Sequence, residues 1–548
     1  MNYRTITGLL SLLLPLAVSA QTVQRSLESV TGQAVACVDG RAAGFSCNGV
    51  TLLSFLPLAA IDGDFSQDDT TAVEANDLWG WMDPESDRRY ALVGVSDGVA
   101  VVEVTDPVWP RLVAFLPEPS HDHVHKTRPA RTAHEGASTW RDIKTYGPYA
   151  LVVSDKNPGH GLQVFDLRQL RTLSQTPARL EPVAHYHGFG TAHNVVVNEA
   201  TGFAYAVGVR EHPDSLQHCD YGYHTVDVSD PLHPRFAGCF RSSLGGFVGP
   251  GYTHDAQCVV YHGPDPDYQG REICIGADET GVGILDVTDK ANVREIAAIQ
   301  YPDVGYAHQG WLDESQRYFY LGDELDEVQA WRDYRNGLRP DPPRTRTLIF
   351  DLADLDHPRL AAEYLAATSV IDHNLFVRGD LLFQANYTAG LRVLDISDRE
   401  RPVEIGFFDT YPWGDPVTFV GAWGVYPFLP DGVVLVSSIG EGLFVLRPVG
   451  VTTARDPLPE VSRVGLSAPA PHPWRTTTQL WLRVDRPQQV RVRLLDLLGR
   501  TVQEVYRGVV EPTQPVWLVL QGALAPGLYL IRAEGETFTD VRPVVRVR

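Results

Sequence analysis

Short apolar runs alternate with polar positions along most of the chain, and the runs return in a fixed order. Alternation rich in Val, Ile, Leu, Tyr and Phe predicts strands, and the repeated units carry no amphipathic-helix periodicity. One recurring run closes on an acidic turn. It reads Val101-Val102-Glu103-Val104-Thr105-Asp106-Pro107, Thr225-Val226-Asp227-Val228-Ser229-Asp230-Pro231 and Val393-Leu394-Asp395-Ile396-Ser397-Asp398, with related copies around Asp166, Asp286 and Asp351. The marker acids Glu103, Asp166, Asp227, Asp286, Asp351 and Asp395 lie 63, 61, 59, 65 and 44 residues apart, and 443–446 is a degenerate seventh copy. A second strand precedes each copy, as at 90–93 and 433–436, and a return strand follows each of the first six, as at 110–115 and 402–407. Three or four strands per unit, repeated seven times, predict an all-β chain with a seven-bladed β-propeller over 76–448. A stacked β-helix would need shorter and more uniform rungs.

The ends read differently. Arg4, an apolar stretch over 9–18 and Val18-Ser19-Ala20 before Gln21 form an export signal over 1–20, too short to span a membrane. No later stretch is apolar enough to span one, so a transmembrane helix is not expected. Export turns the six cysteines into a disulfide question. The local pairs Cys37/Cys47, Cys219/Cys239 and Cys258/Cys274 stand out, and the absence of C-x-x-C spacing argues against zinc-ribbon or thioredoxin-like chemistry. Residues 21–75 read as a disulfide-containing segment capping the propeller, and 449–462 as a linker. Residues 463–548 then alternate as a small C-terminal β-sandwich, rich in arginine and without lysine.

Composition narrows the partners. Against 46 Lys+Arg stand 68 Asp+Glu, a formal charge of −22, so binding to nucleic acid or an anionic membrane is not expected. The same acidity leaves room for cations. Only Lys126, Lys144, Lys156 and Lys290 are lysines.

The motifs at the C-terminus are specific: Leu494-Leu495-Asp496-Leu497-Leu498-Gly499-Arg500, Leu524-Ala525-Pro526-Gly527-Leu528-Tyr529 and a basic last strand. They resemble the C-terminal sorting domain of type IX secretion cargo, with Pro471-His472-Pro473-Trp474 where that family has a Pro-Asn-Pro-Phe-like opening. The resemblance implies delivery by the type IX secretion machinery and a secreted or outer-surface destination. The repeats, with their Asp-Val-Ser-Asp-Pro turns, resemble LVIVD-repeat propellers. The wider layout resembles the choice-of-anchor B family: Cys37…Cys47, Asn76-Asp77-Leu78-Trp79-Gly80-Trp81, then His193-Asn194-Val195 and Asp372-His373-Asn374-Leu375. That resemblance covers about residues 30–448 and implies architecture and export rather than a chemistry.

Candidate chemistry gathers just before each unit's first strand, at Trp79-Gly80, Trp140-Arg141-Asp142, His193-Asn194, His254-Asp255, His308-Gln309, His373-Asn374 and Trp423-Gly424. In a propeller these line the top of the central channel. Loops expected on the same face carry Asp97, Asp155, Glu211, Asp278-Glu279, Asp323-Glu324, Asn386 and Glu441. Two readings follow. The polar residues hydrogen-bond neighbouring strands around the ring, or His193, His254, His308 and His373 with Asp323 and Glu324 hold a divalent ion, zinc-like through imidazole or calcium-like through the acids. Other motifs fail on context. Gly94-Val95-Ser96-Asp97-Gly98 joins strand to strand where a nucleophile elbow must enter a helix, and Asp62-Gly63-Asp64 lacks the rest of an EF-hand. A loop with His121, His123, His125 and His134 reads as a solvated insertion. The expected function is an exported binding protein presenting this face to an extracellular protein, peptide or glycan. The alternative is a metal-dependent hydrolase or lyase with Asp255 or Glu324 as base. Catalytic residues are otherwise not assigned.

Overall fold

A computed structural model describes residues 27–62, 73–119, 138–210, 219, 221–448 and, with short interruptions, 465–546. The expected export signal over 1–20, the expected linker over 449–462, the loop of His121 to His134, Glu211 and the segment 471–474 lie outside the described residues.

Inner strands β1 (Ala75–Met82), β2 (Arg141–Tyr146), β3 (Asn194–Asn198), β4 (Asp255–Val260), β5 (Ala307–Leu312), β6 (Asn374–Arg378) and β7 (Ala422–Tyr426) each open a sheet, antiparallel except where Ala178–Arg179 joins the outer edge of the first in parallel. Consecutive inner strands adjoin, and β7 adjoins β1, so among the described residues the sheets follow one another in a closed ring. The architecture is all-β and propeller-like. The ring explains the run pattern. Strands such as Glu272–Ala277 and Val282–Asp286 are buried on both faces, because one sheet packs against the next. One such interface joins Leu92, Val101 and Val113 to Ile143, Ala150 and Phe165.

Each marker acid ends its sheet's third strand, as at Gly98–Glu103, Tyr223–Asp227, Val282–Asp286 and Leu391–Asp395. The reason is local. Asp227, Asp286 and Asp395 accept the N–H two residues on, from Ser229 at 3.0 Å, Thr288 at 3.1 Å and Ser397 at 2.8 Å. The second acid does the same: Asp230 accepts from Leu232 and Asp289 from Ala291. Two successive Asx turns reverse the chain, which is why the motif repeats. The pairing of third to fourth strand then slips at one position, as at Ile284/Leu285 and Val393/Leu394, a bulge that bends the outer strand.

The described part of 21–75 adds strands to the ring. Val50–Pro57 pairs with Gly442–Pro448 and supplies the seventh sheet's missing fourth strand, while Phe45–Asn48 extends the sixth. The edge that a degenerate last copy would leave open is thereby covered. Three disulfides form, Cys37–Cys47, Cys219–Cys239 and Cys258–Cys274, as the local pairs predict. Cys258 and Cys274 face each other across neighbouring strands. Among the described residues the repeat also holds an α-helix that the sequence does not predict, Asp326–Arg335, inserted in the fifth sheet after Glu324.

Toward the C-terminus, Thr477–Arg483 pairs with Val516–Gln521, and a second sheet runs in the order Thr501–Val510, Gln488–Leu495, Gly527–Glu534, Thr539–Arg546. Leu480, Val492, Leu518, Ile531 and Val544 from both sheets share one core. No helix among the described residues is long and apolar enough to cross a membrane.

Candidate ligand site at the histidine mouth of the ring

The N-terminal ends of the inner strands converge. His193, His254, His308 and His373 form a continuous arc with ring centroids 4.3, 4.2 and 4.4 Å apart, and Trp423 closes it 4.7 Å from His373. Trp140 stands 6.5 Å from His193, with the Lys156 ammonium 3.6 Å above its ring.

Backbone carbonyls and one carboxylate fix the imidazoles. His254 Nδ1 donates to the His308 carbonyl at 2.9 Å, His373 Nδ1 to the Trp423 carbonyl at 2.6 Å and His193 Nδ1 to Asp155 Oδ2 at 3.1 Å. A carbonyl can only accept, so in His254 and His373 the proton sits on Nδ1 and Nε2 keeps its lone pair. His308 differs: its Nδ1 is buried without a hydrogen-bond partner, and its Nε2 lies 3.8 Å from Glu324 Oε2. Glu324 in turn accepts from the Tyr387 hydroxyl at 2.6 Å. His308, Glu324 and His373 can each offer a ligand atom within 4.8 Å of the others.

Burial sets the protonation. It pushes His254 and His308 well below the ordinary imidazole value, helped by neighbouring rings, and His373 down to about 3, so the three are neutral. It raises Glu324 to about 7. Asp155 is also pushed up by burial, but the bond from His193, the Lys156 N–H and the charge of Arg210 together more than offset this and hold it below the usual carboxylate range.

The polar second residues of these pairs act as staples between sheets. Asp142 accepts from the Val195 N–H at 2.7 Å, Gln309 from the Leu375 N–H at 2.8 Å, and Asn194 donates to the His254 carbonyl at 2.9 Å. Asn374 is buried at the start of β6. Asp255 leaves the mouth and lines the channel beside Lys144. The ring reading and the ligand reading thus divide between the two residues of each pair.

Three placements differ from the expectation. Trp79 sits farther along β1, against Tyr426 and Phe376, and Asn76-Asp77 take the equivalent place instead: Asp77 accepts the Leu78 N–H as Asp142 accepts that of Ile143 and Asp255 that of Ala256. In the second sheet Arg141-Asp142 is the equivalent pair. Arg141 is buried and turns outward to the Val95 carbonyl, His160 and Glu118. Asp323 does not join the cluster: its oxygens accept from Tyr301, Gly305 and Tyr306 and hold the 301–306 loop.

Residues not singled out complete the channel. The Lys144 ammonium lies 2.5 Å from Asp142 and 3.6 Å from Asp77, and Gly424 leaves the room that Asp77 occupies. The scarcity of lysine was the available signal for the first. Tyr387 had none, since it differs from every equivalent loop residue. At the rim, exposed Phe247 stacks on Tyr306 and exposed Phe419 meets Tyr387 edge-on, each next to a histidine of the arc.

Comparison with known proteins adds one repeat match. The LVIVD repeat model matches residues 373–410, which is the sixth sheet from His373 through its last strand. No curated protein matches. Among solved structures, the chain is similar to a protein from Lactobacillus plantarum at 12% identity and TM-score 0.40, covering 82% of this chain and 100% of that one. It is similar to the periplasmic gluconolactonase of Pseudomonas aeruginosa at 11% and 0.41, covering 82% and 99%. A hypothetical selenium-binding protein from Sulfolobus tokodaii matches at 11% and 0.37, covering 63% and 86%. None of these likenesses bears on chemistry.

Proposed function

We propose that the chain is an exported, seven-bladed LVIVD-type propeller of the choice-of-anchor B kind that binds a divalent transition-metal ion at its histidine mouth and presents that face to an extracellular protein, peptide or glycan. The 463–548 β-sandwich serves as its type IX sorting domain, and the destination is the outer surface or the medium. Three disulfides support an oxidising destination.

One observation carries the metal reading. Nδ1–H bonds to carbonyls aim His254 and His373 with Nε2 unprotonated, the arrangement that orients metal-ligating histidines. His308 adds a ring with an orphaned nitrogen, and Glu324 an acid that a cation would hold ionised. Neutral imidazoles with one carboxylate suit zinc or copper over calcium. The exposed Phe247 and Phe419 give the mouth an apolar rim for a partner.

Metal analysis of the purified full chain, followed by zinc titration, tests this. About one equivalent should bind, and His308→Ala with His373→Ala should abolish it. Glu324→Gln should weaken it about tenfold or more. Metal content unchanged by the double substitution would remove the reading. Metal-dependent turnover on a hydrolase panel would replace presentation by catalysis.

A further inference from the structure

The far end of the same channel, toward the C-terminal ends of the inner strands, encloses a cavity of about 410 Å³. That is within the range of small-molecule sites, roughly 300–1,000 Å³. One side is an aromatic wall: Trp79 lies 4.9 Å from Tyr426 and 6.0 Å from Phe376, Trp311 lies 4.8 Å from Phe376, and Phe428 stands 5.4 Å from Tyr426. The other side carries Lys144, Asp255 and Gln257, with the exposed Glu199 at the edge.

The charges on that side are unequally matched. The Lys144 ammonium is committed, 2.5 Å from Asp142, 3.6 Å from Asp77 and 4.7 Å from the centre of the Trp79 ring. Asp255 accepts the Ala256 N–H at 2.7 Å, and among the described residues no lysine or arginine lies within ion-pair distance of it. A ligand entering the cavity therefore meets one carboxyl group that Lys144 reaches only at longer range, its ammonium being held by Asp142 and Asp77, a second carboxylate near the entrance and a row of π faces. An anion would be repelled by both acids. A neutral apolar ligand would displace water from Asp255 and return nothing for it. A positive charge is favoured by the acids and by the aromatic faces together.

We infer that this cavity is a second binding site, taking a small organic ammonium ion whose charged head meets Asp255 and whose apolar body lies along Trp79, Phe376 and Trp311. It is independent of the histidine mouth. Glu199 would draw the cation toward the entrance.

Calorimetric titration of the full chain with 2-phenylethylammonium, 2-phenylethanol and phenylacetate tests the inference. The ammonium ion should bind about tenfold or more tightly than the alcohol, and phenylacetate should give no saturable heat. Asp255→Asn should remove the preference for the ammonium ion while the alcohol is unaffected. Trp311→Leu should weaken both, and Glu324→Gln at the other end should change neither. An alcohol bound as well as the ammonium ion, an unchanged preference in Asp255→Asn, or no saturable heat from any probe would overturn it. If Asp255→Asn does not fold, Trp311→Leu decides, since unchanged ammonium affinity there has the same consequence.

Discussion

At one end of the channel four imidazoles stand 4.2–4.4 Å apart, aimed by bonds from Nδ1. At the other, five aromatic rings form a wall opposite a carboxylate. Both ends are built on the same inner strands, and between them lies a charged layer of Asp77, Asp142 and Lys144. Each of the two ends spends little of its polar capacity on the fold. The middle layer spends most of its own. Substitutions should therefore separate cleanly: stability should depend on the layer between, and binding on either end.

The largest effect is expected there. Lys144→Met strips the only cation that, among the described residues, pairs with buried Asp142 and Asp77, and losing one partner of a buried pair costs about 3–5 kcal/mol. Urea unfolding at neutral pH reads this directly. His308→Ala, at the mouth, should cost less than about 2 kcal/mol, because one ring nitrogen has no hydrogen bond to lose. Equal losses from the two would break the comparison.

A second test uses pH. Asp278, beside the mouth, is wholly buried, faces Thr253, Ser242, Tyr223, Glu279 and Glu295, and is raised by burial to about 7. The unfolded carboxyl titrates near its ordinary value, so the folded state binds the extra proton. Its contribution is full below about pH 4 and is lost as pH rises through about 7, for a total of about 2–4 kcal/mol. Denaturant midpoints across that window should fall with pH in the parent and less steeply in Asp278→Asn, the remaining slope coming from other buried carboxyls such as Glu324, Glu118 and Asp409.

Much of this was legible beforehand, and for local reasons. The marker acids are readable because an Asx turn needs its acid at a fixed place, whatever the rest of the chain does. The missing seventh return strand was readable too, but not its replacement by Val50–Pro57, since a pairing across nearly the whole length leaves no local mark. His193, His254, His308 and His373 come together as the period implies. Trp79 does not, because Asn76-Asp77 hold the equivalent place earlier in β1, and Asp323 does not, because its oxygens hold the 301–306 loop, a contact that no spacing encodes. The aromatic wall was hidden for a similar reason. Its members are ordinary core residues in sequence, and only the ring's closure turns them toward one space.

Gly80→Ala probes the aromatic end. A Cβ at Gly80 would overlap the Tyr426 ring, so the ring must turn toward the cavity at a cost of about 1–3 kcal/mol. Thermal unfolding gives the cost. Zinc affinity at the mouth should not change, whereas ammonium affinity at the far end should fall.

The smallest effect is expected from Asn194→Ala. Its side-chain amide donates to the His254 carbonyl across neighbouring sheets, and its removal leaves that carbonyl one bond short. Asn194 is only partly buried, so water can replace the donor and the loss should be about 0.5–1.5 kcal/mol. His254 Nδ1 bonds to His308, not to Asn194, so its imidazole keeps its aim. Zinc titration of Asn194→Ala should match the parent. A tenfold weaker zinc affinity would mean that the staples hold the imidazoles as well as the strands, and the division of labour within each pair would be wrong.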